Sequence, residues 1–353
     1  MKTLVKGLAR LLLTLALAAS LGASLWSGVQ ITRDPTLRPI IDRTGDQIVA
    51  TTDRMMAREA TPERLNVLIS ARLAETPRNW VALEALATLS AERAVALPDT
   101  YAPAYDADHS LAATASDCAA CAYDPAACRL SNVLMCQAPV AFTPIGDIAG
   151  ITRAGVAYST GAEVDKIDLT LSLIGLGATA AIVASGGSSA AVKAGASTVK
   201  LARRLGLVSP RLTGMATDAA RHGVDWAALP AARSTEDLSR LIRTDALAPL
   251  TATLTDLNRL RASTSATDAL HLLPLIDDAA DARRLARAGE ALGPRLVARA
   301  EVLGKVRLLR ATTRLSNVAL ALTAGLAALL ASLTALLGGV IQSILMRALR
   351  RQM

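Results

Sequence analysis

The sequence predicts an all-α, membrane-anchored protein, with terminal transmembrane helices flanking a mainly helical exported domain. Three observations carry this. Leu315 to Met346 runs without a charge between Arg314 and Arg347. Leu11 to Thr32 is a second uncharged run, preceded by Lys2, Lys6 and Arg10. The chain is 52% hydrophobic yet only 2% aromatic, so its cores must be built from Ala, Leu and Val. Ala and Leu lose little freedom in a helix, which favours close-packed helices over sheets.

The 353 residues suffice for one or two domains with a real core. The net charge of +8 is unevenly spread. Residues 33–168 carry 12 basic and 18 acidic side chains, and residues 193–314 carry 20 and 12. A basic half could face nucleic acid or an anionic membrane surface, but the aromatic side chains on which single strands stack are lacking. Amphipathic helices solvated by Arg are expected instead, with no nucleic-acid partner.

Residues 1–10 are read as a cytoplasmic N-terminus and 11–32 as a retained signal anchor. Ala18-x-Ser20 and Gly22-x-Ser24 would suit a signal peptidase, but the apolar run continues past both to Trp26, Val29 and Ile31. A helical domain with a cysteine cluster follows over 33–141. It opens with a polar linker, 33–61. Thr61-Pro62-Glu63-Arg64 then has the signature of a helix start, Thr as N-cap and Pro at the first position. Pro77 breaks that helix, and Asn79 caps a second one bearing Trp80, Leu83, Leu86, Ala87 and Leu89. The pair resembles one tetratricopeptide-type unit. No second copy follows, and a lone unit cannot bury its face, so the hairpin belongs to an ordinary helical domain.

Residues 98–117 are expected to form a loop. Cys118, Cys121, Cys128 and Cys136 follow, on two short helices turning at Asp124-Pro125. The spacing is C-x2-C-x6-C-x7-C. A zinc site would want two close pairs, or thiolates with His, and no His lies near. A redox C-x-x-C needs a βαβ setting that is absent from the pattern. After an export signal, two disulfides are the expectation. Nesting Cys121–Cys128 inside Cys118–Cys136 suits the hairpin, and is one of the connectivities that four cysteines allow.

Residues 142–207 are a Gly/Ala-rich apolar helical region. Its uncharged run, 169–192, has an apolar part of only 14 residues, Leu171 to Ala184, before Gly-Gly-Ser-Ser. That length is commoner in buried core helices than in spans. Pro144-Ile145-Gly146-Asp147 followed by this apolar, Gly-rich helix resembles the hydrophobic stretch ahead of toxin modules in bacterial polymorphic toxins. It carries no catalytic motif. Residues 208–314 read as Arg-rich amphipathic helices broken by Pro210, Pro230, Pro249, Pro274 and Pro294, with Leu238, Leu241 and Ile242 on one stripe. The run 315–346 is the C-terminal transmembrane helix, and 347–353 a basic cytoplasmic tail. Thr323, Ala327, Ala331, Ala335, Gly339 and Ser343 form a small-residue stripe along it, through which two membrane helices can approach closely.

Catalytic constellations are weak. Asp277-Asp278-x-x-Asp281 resembles the metal motif of terpenoid synthases, but the second acidic motif is missing, and acidic residues in a first helical turn also offset the macrodipole. Ser197-x-x-Lys200 fits the serine motif of penicillin-binding proteins without its companions. His109, His222 and His271 are scattered. No cofactor or metal is expected. The expectation is a non-enzymatic structural or interaction protein of a bacterial inner membrane. Its main domain lies in the periplasm, and its partners are membrane lipid and a second copy or another membrane protein. The alternatives are a membrane-active or transport component in which 169–192 forms a third span, and an enzyme of unrecognised type.

Overall fold

The computed structural model describes residues 38–124, 127–141, 144–185, 189–229, 237 and 240–312. Two compact units divide the chain, one of residues 48–312 and the other of residues 1–47 with 313–353. The runs 11–32 and 315–346, and with them the stripe from Thr323 to Ser343, lie outside the described residues. Among the described residues no helix is long and apolar enough to cross a membrane. The described residues are mostly helical and contain no strand, as the composition predicts.

Helix α1, Arg38–Glu59, occupies the expected linker. Ile48, Thr52 and Met56 recur every fourth residue and are buried, and the Thr52 hydroxyl donates to Ile48 O at 2.7 Å. That periodic burial makes a helix where polar composition suggested a connector. α2, Pro62–Leu73, starts where its cap signature predicts: Thr61 Oγ1 accepts from Arg64 N at 3.3 Å. α3, Trp80–Glu92, is capped by Asn79, whose Oδ1 accepts from Ala82 N at 3.3 Å.

The segment expected as a loop is instead helical, as α4, Tyr101–Asp108, and the start of α5, Leu111–Tyr123. Tyr101, Tyr105 and His109 stand one turn apart and meet the buried Trp80 ring edge to face, at 5.6, 5.2 and 5.1 Å between centroids. The indole Nε1 donates to Asp108 Oδ2 at 2.8 Å. A partner outside the segment therefore creates this helix, which is why composition alone reads it as loop.

The remaining elements are α6, Val133–Ala141; α7, Pro144–Ser159; α8, Lys166–Ser185; α9, Ala190–Arg204; α10, Pro210–Gly223; α11, Thr244–Ser263; α12, Ala266–Leu272; and α13, Ala279–Leu292. Residues 296–312 form α14. Pro274 and Pro294 sit in short 3₁₀ turns, Leu273–Leu275 and Gly293–Arg295. Pro210 opens its helix behind the Ser209 cap. Pro249 does not break a helix: it lies inside α11, exposed, in the second turn. So early a proline deprives one solvent-side carbonyl of its partner, and the buried Leu250, Leu254, Leu257 and Leu260 hold the helix regardless. Nor do Leu241 and Ile242 lie on a helix. Ile242 pairs with Val224 in an isolated antiparallel bridge, with Asp225 N donating to Leu241 O and Arg243 N to Gly223 O, both at 2.9 Å.

α11 is the central helix, packed against α9, α10 and α13. Its approach to α9 is backbone to backbone: a Cβ on Gly195 would lie 2.0 Å from Leu254 O. One apolar core runs from Met56 and Trp80 through Ile174 and Leu201 to Leu254, Leu285 and Leu308. It joins all three sequence segments of the body, 33–141, 142–207 and 208–314.

Candidate functional site

Three helices of the Gly/Ala-rich region converge on one charge. Lys200, in the middle of α9, is 6% exposed and reaches between α7 and α8. Its ammonium donates to Gly146 O at 3.1 Å, to Asp147 Oδ1 at 3.0 Å and to Ser172 Oγ at 2.8 Å. Asp147, on α7, is 2% exposed, and Ser172, on α8, is fully buried. The second carboxylate oxygen, Asp147 Oδ2, makes no hydrogen bond. Two glycines open the space. A Cβ on Gly150 would stand 2.1 Å from Ser172 Oγ, and one on Gly175 would stand 2.6 Å from Asp147 Oδ2.

This geometry defines what the lysine can do. An ammonium has three N–H donors, and all three are engaged, so the nitrogen offers no lone pair to a neighbouring hydroxyl. Ser172 Oγ in turn donates to Asp168 O at 2.7 Å. The Ser172–Lys200 contact is thus a structural hydrogen bond and not an activated nucleophile. The S-x-x-K spacing that draws attention to Ser197 brings the lysine to a different serine on another helix. Asp147 and Ser172 were not readable as a site. The one available signal was a lone carboxylate inside an apolar, Gly-rich stretch, which must be paired if it is buried.

The cysteines close as the hairpin suggests. Cys118–Cys136 and Cys121–Cys128 are disulfides, with Cα–Cα distances of 5.2 and 4.3 Å. Cys118 and Cys121 lie on α5, Cys136 on α6, and Asp124 ends α5. Cys121 and Cys128 are buried in the main core, so the bridges tie this hairpin into the body.

The histidines are kept apart. His109 stacks on Tyr105 at 4.0 Å. His222 is exposed beside an open groove of about 540 Å³ between α10 and α11, and its Nδ1 meets Asp218 O of its own helix at 3.0 Å. His271 has the richest surroundings. Its Nε2 lies 2.8 Å from Glu301 Oε1 and its Nδ1 3.0 Å from Asn79 Nδ2. Since Asn79 Oδ1 caps α3, its amide nitrogen faces the ring and donates. Nδ1 then accepts and Nε2–H donates, a neutral imidazole assigned from the network. Glu301 also takes a forked pair from Arg72. Burial works against its charge, but the His271 hydrogen bond and the Arg72 guanidinium outweigh that and hold its carboxyl below the ordinary Glu range.

The acidic motif is also accounted for. Asp278 Oδ1 caps α13 by accepting from Asp281 N at 2.8 Å, and Lys305 Nζ bridges Asp277 and Asp281 at 2.6 and 2.8 Å. The Lys305 hydrogen bond in particular keeps Asp277 below the usual carboxylate range. A lysine fills the place a cation would take. Among the described residues no group of three or more His, Cys, Asp or Glu could hold a metal ion. The chain matches no family model, no curated protein and no solved structure.

Proposed function

We propose that this chain is a structural or interaction protein of a bacterial inner membrane, with its helical body exported and both ends cytoplasmic. Its charged clusters serve to fasten helices, and its role is exerted through partners. One observation carries the topology. Residues on either side of the uncharged run 169–192 share one core and are joined by Arg72–Glu301 and Asn79–His271. A bilayer cannot pass between helices packed in this way, which favours two spans over three. The same unit holds both disulfides, which supports placing all of it in an oxidising compartment.

The basic residues ahead of the terminal run fit this placement. Arg299 is 5% exposed and pairs with Asp53 at 3.0 Å, Lys305 pairs with Asp277 and Asp281, and Arg307 pairs with Glu59. They belong to a folded body, and long exported domains largely escape the charge rule that orients short loops. Reporter fusions at Ser209 and Met353 test the proposal. An exported signal at Ser209 with a cytoplasmic one at Met353 is expected. The reverse pattern establishes three spans and removes the proposal.

A further inference from the structure

Helix α7 carries an exposed apolar stripe. Its inward side mixes polar, small and apolar groups: Asp147 is paired with Lys200, Gly146 O accepts from the same ammonium, Gly150 lies against Ser172, and Ile151 and Ala154 pack on the cluster of Leu169 and Leu173. Its outward side is aliphatic. Ile145, Ile148 and Val156 are 62%, 56% and 57% exposed. With Thr152, also exposed, they follow one another at three- and four-residue steps, the spacing of a single helical face. A surface helix of a water-soluble body turns charged and polar residues outward on that face.

The polar atoms on this face are turned away from the outside. Thr152 Oγ1 donates to Ile148 O at 2.9 Å and Ser159 Oγ to Val156 O at 2.9 Å. Arg153, on the flank, bends to Asp168 at 2.8 Å. Hydroxyls that bond back to their own helix leave only methyl and methylene groups to meet what lies beyond, as a lipid environment demands.

We propose that this stripe of α7 rests in the headgroup–acyl boundary of the membrane that anchors the chain. The inference rests on the anchored reading given above. The uncharged runs 11–32 and 315–346 lie outside the described residues at both ends, and the second begins three residues after the last described one, residue 312. Two such anchors hold the body beside a bilayer, where even a weak apolar contact is kept at high effective concentration. The stripe from Ile145 to Val156 is roughly 16 Å long and one row of side chains wide, too little to supply the roughly 800 Å² per partner of a stable protein interface. A protein interface of any size would also need hydrogen-bonding groups, about one bond per 100–200 Å², and this face has turned its own inward. An interfacial helix buries its apolar side about 5–10 Å deep, which one row of Ile and Val can supply.

The test uses the full-length chain in liposomes of phosphatidylcholine and phosphatidylglycerol. All four native cysteines are paired, so Ile148→Cys or Val156→Cys gives a unique site for an environment-sensitive fluorophore. Leu111→Cys, at a position 91% exposed on α5, is the control. With nitroxide on the lipid chains, labels at 148 and 156 should be quenched several-fold more than the label at 111, with blue-shifted emission. Equal quenching at all three overturns the inference. A blue shift at 148 without quenching also overturns it and assigns the stripe to a second copy or another protein. Flotation separates the underlying reading: a chain that floats with the liposomes and resists alkaline extraction, yet is unquenched at 148, refutes only the docking of α7. A chain that does not float refutes both.

Discussion

Arg72 and Glu301 lie 229 positions apart and meet as a fork, Nε to Oε2 at 3.0 Å and Nη2 to Oε1 at 2.9 Å. The pair fastens α2 to α14, and His271 on the same carboxylate adds α12. Neutralising Glu301 as Gln leaves a partly buried guanidinium with an uncharged partner. Its expected cost is about 1.5–3 kcal/mol, the value of a charged hydrogen bond. Urea denaturation of the full chain in detergent measures it.

The same carboxylate sets an acid limb. Its folded-state pKa is below the ordinary value of 4.5, so the stabilisation it gives is fully present above that pH. It is lost as pH falls further, through the folded value. Glu301→Gln should therefore flatten the stability profile below pH 4.5 relative to the parent. Identical acid slopes in the two proteins would show that other carboxylates set this limb.

Lys200→Met leaves Asp147 buried with no counter-charge, and should cost about 3–5 kcal/mol. The double variant with Asp147→Asn should recover much of that loss, because an apolar and a neutral side chain no longer carry an unmatched charge. A double variant as unstable as the single one would mean that the loss lies in packing around Gly150 and Gly175.

Gly195→Ala and Gly214→Ala make a paired test of packing. The first drives a Cβ into Leu254 O, and the second meets nothing within 4 Å. Overpacking should cost about 1–3 kcal/mol at 195. Removing a helical glycine should instead gain about 0.5–1 kcal/mol at 214. Melting temperatures of the two variants should move in opposite directions.

Alkylation of denatured, unreduced protein should label no cysteine, as both bridges require. Replacing Cys118 and Cys136 together by Ala should lower stability by about 3 kcal/mol, the loop-closure value for a ring of this size. Titration of thiols by mass spectrometry and thermal unfolding check the two halves of this statement.

Much of the fold is legible because its signals are local. Thr61, Asn79 and Ser209 cap helices by bonding amides three residues on, so sequence contains both partners. The nested cysteine pairing suits a hairpin turning at Asp124, though four cysteines allow three connectivities. What sequence hides is set by partners far along the chain. Tyr101 and Tyr105 need Trp80 before their segment is a helix. Lys200 is 53 residues from the aspartate that justifies its burial, and nothing near either residue announces the other. Pro249 is tolerated because four buried leucines outweigh one lost amide, a balance that composition cannot weigh.

The fork between Arg72 and Glu301 also carries a timetable. A ribosome adds about 5–20 residues per second, so roughly 10–50 s separate the synthesis of α2 from that of α14. Through that interval α2 and α3 exist without α12 and α14, the helices that complete their core. The bridges at Cys118–Cys136 and Cys121–Cys128 can form much earlier, since each closes a short loop. In the exported chain proposed above, the growing body would therefore pass through a stage that is cross-linked but unfinished. It is in that stage that a newly made body is most exposed to proteases and to its neighbours.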